Sequence, residues 1–279
     1  MERQYKNLGY FLIVLVAFVA VGFYKPYFAL IPNFDLSITP LVQIHAILLM
    51  TFVALLVAQP LLIRHKQRGL HKSLGKLTYF LMPLLVASCV GVIFKEYAET
   101  LSRNPSVEAG LRSIFSDVAQ LLLLIFFYSL AIVNRRHVPV HMRYMIAVAL
   151  IVAPAGIARV LGYWFEVPRY ASGLASNALL DAVLIALILF DRRNHLNYRP
   201  YMLVLPLFVL SHAAFAVLGR PVAPTWNRVV ATSRPAGMAE TRDHFAPKWP
   251  ARRRPVSPRR SATVQQGETL QLGPRLAGD

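Results

Sequence analysis

The sequence predicts an all-α fold, a polytopic transmembrane helical bundle of about seven helices with its N-terminus in the cytoplasm. Three observations predict it. First, the 279 residues are 56% hydrophobic and only 15% charged, whereas soluble domains carry about 25% charged residues. Second, the apolar residues gather in seven segments, each close to the ~20 residues that cross a hydrocarbon core. Third, Lys and Arg are concentrated on alternate connectors.

The seven apolar segments follow one another through the first 218 residues. They cover residues 8–24, 39–63, 74–94, 114–133, 143–162, 174–190 and 201–218. Because the connectors are short, consecutive helices are expected to be antiparallel neighbours. The first segment follows Arg3 and Lys6, as a signal peptide would, but no small-residue cleavage site comes after it. We therefore interpret it as a signal anchor and the first span.

The distribution of Lys and Arg predicts the orientation. Thirteen of them lie before the first segment or on the connectors that follow the second, fourth and sixth segments, against five on the other connectors. The positive-inside rule places the richer set in the cytoplasm. We expect a multi-pass protein of the bacterial inner (plasma) membrane. Its main partner is then the lipid bilayer, other membrane subunits are candidate partners, and no nucleic-acid partner is expected despite the net charge of +17.

The chain divides into two parts. Residues 1–218 are predicted to form the helical bundle, with a motif-bearing core at 39–162. Residues 219–279 form a basic tail rich in Pro and Arg, with eleven Lys and Arg and few apolar residues. Such a composition predicts disorder. The one cysteine, Cys89, excludes a disulfide framework and a Cys-based metal site.

Polar side chains inside the apolar segments are candidate site residues, because ionisable groups are costly in a bilayer. An outer layer contains His45, Asp117, Gln120, Arg159, Asn177, Asp181 and His212. An inner layer contains Gln59, His65, His71, His137 and His141. We predict a polar intramembrane cavity lined by Gln59, Asp117, Gln120, Arg143, Arg159, Asn177 and Asp181. Arg159 has an alternative interpretation, a structural ion pair with Asp117 or Asp181.

Several short motifs resemble a large family of uncharacterised bacterial multi-pass membrane proteins. They are residues 43–46 (QIHA), 58–61 (AQPL) and 71–76 (HKSLGK), followed by 139–145 (PVHMRYM) and a downstream arginine. The family pairs a helix-borne His and Gln with a His-Arg-x-x-Gly loop, and has His-x-Arg-x-Met as a second motif. The resemblance covers roughly residues 40–218, and Lys72 replaces the more usual arginine. It implies no established activity.

The layout is also distantly similar to that of ascorbate-reducible b-type cytochromes, in which histidine pairs on a four-helix core hold one haem near each face. This likeness implies haem b as a candidate cofactor, with His71 and His141 as inner ligands and His45 and His212 as outer ligands. The cytochrome pattern expects its outer partner within the four-helix core. His212 departs from that pattern because it lies on the last segment.

A third likeness is to seven-helix zinc-dependent hydrolases that cut amides within membranes. They share the span number and intramembrane His, Asp and Ser, but their His-x-x-x-His on the last helix is reduced here to His212. Three hypotheses therefore stand, and no catalytic residue is assigned. The first, which we favour, is an accessory subunit or a small-solute or proton pathway. The others are a b-type haem electron-transfer protein and an intramembrane metal-dependent hydrolase.

Overall fold

The computed structural model describes residues 3–29 and 39–218, and every regular element in those ranges is helical. A 3-10 turn over Arg3–Tyr5 precedes seven α-helices. They are α1 Leu8–Tyr24, α2 Pro40–Arg64, α3 Arg68–Arg103, α4 Val107–Val133, α5 Val138–Phe165, α6 Arg169–Arg193 and α7 Arg199–Leu218. The predicted all-α bundle is confirmed. The predicted disordered tail at 219–279 lies outside the described residues.

Six helices, α2 to α7, are long and apolar enough to cross a membrane, while α1 is apolar but has only 17 residues. With its flanking turns, however, α1 reaches as far along the bundle as α5 does. At one end Tyr5 bonds to Asp191, which pairs with Arg143 of α5. At the other end Lys25 donates to the carbonyl of Tyr163. Tyr5 and Lys25 are twenty residues apart, and so are Arg143 and Tyr163. Twenty residues correspond to about 30 Å of helix.

Several helices are longer than the apolar segments that predicted them. Helix α3 extends over 36 residues where the prediction covered 74–94, and α4 begins at Val107 where the prediction began at 114. The added turns are polar, and polar side chains within them stabilise the helix ends. Ser106 caps α4 by accepting from the backbone N–H of Ala109, and Glu108 lies in the first turn. Hydropathy detects only the part of a helix that faces lipid, so it misses these turns.

Helix α5 lies at the centre of the bundle. It packs against α1, α2, α4, α6 and α7, and it is the most buried of the spanning helices. Its residues Ile146, Ala147, Val148 and Leu150 are at most 1% exposed. Because lipid tails are as apolar as these side chains, close packing rather than hydrophobic exclusion holds the helices around α5.

Two glycines bring the backbones of α1 and α5 into contact. A Cβ on Gly22 would lie 2.2 Å from the carbonyl oxygen of Gly156, and a Cβ on Gly156 would lie 2.5 Å from the Cα of Val19. Small residues permit such close approach between membrane helices. The contact brings the backbones of α1 and α5 together in the half of the bundle that carries Lys25 and Tyr163.

The two ends of the bundle differ in charge. We call the end that carries Arg143 and Asp191 the basic end, because the connectors there hold the larger share of Lys and Arg. We call the end that carries Lys25 and Arg159 the opposite end. The positive-inside rule predicts that the basic end is cytoplasmic.

Candidate functional site

The structure distributes the predicted cavity residues over four separate places. Arg143 and Gln59 lie toward the basic end, in two distinct groups. Gln120, Asn177 and Asp181 lie near the middle of the helices, while Asp117 and Arg159 lie toward the opposite end. The structure therefore separates the predicted cavity residues into four groups.

The middle group contains a hydrogen-bonded aspartate–histidine pair between neighbouring helices. Nδ1 of His212 on α7 lies 2.9 Å from Oδ1 of Asp181 on α6, and the side chains are 12% and 20% exposed. Asp181 lies ten residues from Asp191, and His212 lies eleven residues from Tyr201 of the basic end. Each separation is about 15 Å, half of a ~30 Å hydrocarbon core. The pair therefore lies about half the thickness of a hydrocarbon core away from the basic-end cluster, and it is partly accessible.

Gln120 on α4 extends this group. With His212 it lines a small cavity whose remaining walls are apolar, including Leu150, Pro154 and Phe208. The cavity is about the size of one water molecule. The amide of Gln120 also donates to Oγ of Ser116, one turn nearer the opposite end, at 3.1 Å. We call Gln120, Asp181 and His212 the mid-membrane site.

Asn177, which spacing predicts on the face of Asp181, lies one turn away on α6 and is buried. The neighbouring Ser176 donates its hydroxyl to the carbonyl of Ser172. This part of α6 is therefore packed against protein, and the next polar side chain along the helix, that of Asp181, is partly accessible.

The basic end holds a second pair of polar side chains on neighbouring helices. It is an ion pair with no accessible surface. Nε of Arg143 donates to Oδ2 of Asp191 at 2.6 Å, and both side chains are 0% exposed. The hydroxyl of Tyr5 donates to the other carboxylate oxygen at 2.6 Å, and the fully buried Tyr201 ring lies beside Arg143. Burial, followed by the hydrogen bond to Asp191, raises the pKa of Tyr5 above its ordinary value of 10. We call these four residues the basic-end cluster.

A third polar contact joins α2 to α3 near the basic end. In the amide orientation that satisfies its neighbours, Gln59 donates to Nδ1 of His71 and accepts from the backbone N–H of Gly75. His71 then carries its proton on Nε2. Nδ1 of His141 lies 2.8 Å from the carbonyl oxygen of Ala131, so its proton is on Nδ1. Bis-histidine haem ligation through Nε2 needs that nitrogen bare on both rings, which fits His141 but not this tautomer of His71.

The two outer histidines have different partners. Nδ1 of His45 lies 3.1 Å from Oγ of Ser88 on α3, whereas His212 pairs with Asp181. Helix α2 packs on α1, α3 and α5, while α7 packs on α4, α5 and α6. The charges of His71 and His141 are close enough to interact, but His45 and His212 lie on opposite sides of α5. The exposed His65 and His137 lie on the surface of the basic end.

Arg159 lies near the opposite end without an acidic partner in the described part of the chain. Its Nη1 donates to the carbonyl of Ala155 at 2.8 Å, and its guanidinium lies 4.4 Å from the ring of Phe23. The alternative of an ion pair with Asp117 or Asp181 is therefore not what the structure shows.

No group of three His, Cys, Asp or Glu side chains that could hold a metal ion occurs within residues 3–29 and 39–218. A catalytic zinc site uses three protein ligands. His212 and Asp181 supply two, and the other candidates, His45 and Asp117, belong to the opposite end.

Sequence reasoning missed Asp191, Tyr5 and Tyr201. Asp191 precedes Arg192 and Arg193 at the end of α6 and looks like part of a charged connector. The sequence nevertheless contains one indication that Asp191 has a structural role. Apart from Glu2, Asp191 is the only acidic residue on the connectors and N-terminal segment of the basic end. A lone carboxylate among so many cations is a good candidate for a buried ion pair.

No protein-family model, curated protein or solved structure matches this chain. The resemblance to the bacterial multi-pass family therefore stays a prediction.

Proposed function

We propose that this chain is a multi-pass protein of the bacterial inner membrane that passes protons, alone or with a small solute, through the mid-membrane site. The observation that supports the proposal is the Asp181–His212 pair, which lies about 15 Å along the helices from the basic-end cluster and keeps 20% and 12% of its side chains accessible. Ionisable groups at this depth are costly, and Asp, Glu and His relays are a principal reason for their presence.

The chemistry of the pair suits proton transfer. With Nδ1–H donated to Asp181, the second ring nitrogen of His212 is left to accept a proton. The carboxylate then stabilises the imidazolium, and the proton can leave by the same nitrogen. Histidine exchanges protons readily near neutral pH. The cavity lined by His212 and Gln120 has room for about one water molecule, which can deliver the proton to His212.

Polar side chains continue from the cavity on the side of the opposite end. Ser116 and Gln120 form a hydrogen-bonded step from the cavity toward the opposite end. Toward the basic end, Leu184 and Phe208 are at most 2% exposed, and beyond them lies the basic-end cluster. Protons would therefore enter from the opposite end, and their release at the basic end would need a rearrangement there.

Proton flux into proteoliposomes tests the proposal. The full chain is reconstituted with an internal pH-sensitive dye, and a potassium diffusion potential drives the flux. We expect Asp181→Asn and His212→Gln to lower the rate at least about tenfold, which corresponds to about 1.4 kcal/mol. Glu108→Gln, which changes an exposed carboxylate on α4, should keep the wild-type rate. Equal rates in all four proteins would refute the proposal.

A further inference from the structure

Helix α5 interrupts its own hydrogen-bond ladder at the wall of the cavity that Gln120 and His212 line. Pro154 lies inside α5, and proline has no backbone N–H. In a regular helix that N–H would donate to the carbonyl four residues earlier, which is the carbonyl of Leu150. Leu150 and Pro154 both line the cavity. The break in the ladder therefore lies beside the cavity.

The carbonyl of Leu150 needs another donor, and bulk water does not reach it. Leu150 is 1% exposed, and Pro154 is buried as well. In membrane helices a carbonyl that proline has released is satisfied by a neighbouring polar side chain or by an ordered water molecule. Among the described residues that line the cavity, only Gln120 and His212 have polar side chains. The polar groups of the cavity are therefore two side chains and one backbone carbonyl.

One water molecule in this cavity would have three protein partners. It can donate to the carbonyl of Leu150 and to the ring nitrogen of His212 that does not face Asp181. It can accept from the second N–H of the Gln120 amide, because the first donates to Ser116. Buried water molecules typically make about three hydrogen bonds, and the cavity has room for about one of them. The size of the cavity and the number of its polar groups fit the same ligand.

We propose that the carbonyl of Leu150, released by Pro154, holds the water molecule that delivers protons to His212. A proton that arrives on this water as hydronium passes to the ring nitrogen of His212, and neutral water stays behind. Before the transfer, the fixed carbonyl dipole stabilises the positive charge on the hydronium. Pro154 acts through Leu150 and is a positioning residue. This role rests on the proposed function of the mid-membrane site and adds a backbone group to it.

Proton flux into proteoliposomes tests this role through the backbone at position 154. Pro154→Ala restores the N–H, which pairs with the carbonyl of Leu150 and takes it from the water, so the rate should fall several-fold. Replacement of Pro154 by lactic acid, the ester counterpart of alanine, gives the same side chain without an N–H. Its rate should stay close to that of wild type. Pro206→Ala is the matched control, because Pro206 lies inside α7 but does not line the cavity. It should keep the wild-type rate.

Thermal unfolding of the same preparations separates positioning from folding. Pro154→Ala adds a helix hydrogen bond, so we expect slow flux with a midpoint no lower than that of wild type. Equal flux in Pro154→Ala and wild type, with His212→Gln slow, would overturn the role of Leu150 and leave the proposed function standing. Equal flux in wild type and His212→Gln would refute both. Equally slow flux in the alanine and lactic-acid variants would show that the shape of proline matters rather than the free carbonyl, and would also overturn the proposal.

Discussion

The basic-end pair and the mid-membrane pair are similar in composition but differ in exposure. Each joins one acidic side chain to one nitrogen-bearing side chain across neighbouring helices. Arg143 and Asp191 are 0% exposed, and both carboxylate oxygens accept hydrogen bonds. Asp181 and His212 keep 20% and 12% of their side chains accessible, and His212 lines a cavity. We infer that access to water, rather than charge, distinguishes a pair that stabilises the fold from one suited to proton exchange.

This difference has energetic consequences. Removing one partner of a sealed pair leaves an uncompensated charge with no access to water, which typically costs about 3–5 kcal/mol. Removing one partner of a pair that keeps access to water costs less than this, because water can take the place of the lost partner. Variants of the basic-end pair should therefore lower the free energy of unfolding, whereas variants of the mid-membrane pair should lower proton flux with little loss of stability.

The largest effect is expected from Arg143→Met. The change leaves the Asp191 carboxylate buried with only Tyr5 as a donor, and the free energy of unfolding should fall by about 3–5 kcal/mol. Reversible unfolding in mixed micelles measures it. The double variant Arg143→Met/Asp191→Leu should recover a large part of the loss because no unpaired charge remains. The control is Glu99→Gln, which changes a partly exposed ion pair. If Arg143→Met were as stable as this control, the structural role of the basic-end pair would be contradicted.

A smaller loss of stability is expected from Gly156→Ala, which changes the packing of α1 on α5 without removing a charged side chain. The added methyl would lie 2.5 Å from the backbone of Val19, so α1 must move away from α5. We expect a loss of about 1–3 kcal/mol. Gly69→Ala is the matched control, because nothing lies within 4 Å of its added Cβ. Similar stabilities for the two variants would mean that α1 and α5 are not in backbone contact.

Tyr5→Phe should have a still smaller effect, about 1–2 kcal/mol, because it removes one hydrogen bond to a carboxylate. It should also change the pH dependence. The raised pKa of Tyr5 means that its contribution is fully present below the ordinary tyrosine pKa of 10 and is lost as pH rises beyond it. Wild type should therefore lose more stability than Tyr5→Phe between neutral pH and about pH 11. Parallel pH profiles for the two proteins would show that the phenol is not sealed.

The smallest effect on stability is expected from Asp181→Asn, at about 1 kcal/mol, because the amide keeps an acceptor for the ring N–H of His212. The same variant is expected to show the largest loss of proton flux. Unfolding and flux are measured on one preparation, so a misfolded sample cannot pass as an inactive one. A loss of stability as large as that of Arg143→Met would make the mid-membrane pair structural.

The sequence predicted the helices well because lipid-facing segments must be continuously apolar. It predicted their ends poorly, since the polar turns at the start of α4 and both ends of α3 carry no hydropathy signal. Tyr5 was missed for a related reason. It lies in a short 3-10 turn outside any apolar segment, and only the folded chain brings it to Asp191.

The candidate site was predictable in its residues but not in its grouping. Periodicity within a helix placed Asp117 with Gln120 and Asn177 with Asp181, but it carries no information on which helices adjoin. The central position of α5 separates His45 from His212 and divides the expected cavity. Lateral order depends on contacts such as that of Gly22 with Gly156, which single-helix patterns cannot predict.

Thiol accessibility at the middle of the bundle is the most direct test of the difference between sealed and accessible positions. In a Cys89→Ala background, Gln120→Cys places a thiol at the cavity, and Leu184→Cys places one at a position that is 0% exposed. Vesicles of known orientation are treated with Ag⁺, a thiol-reactive cation small enough to follow water, and residual thiol is counted after unfolding. We expect Gln120→Cys to react from the side of the opposite end while Leu184→Cys stays protected. Equal reactivity of the two thiols, or reaction of Gln120→Cys from the basic end alone, would contradict an accessible mid-membrane site.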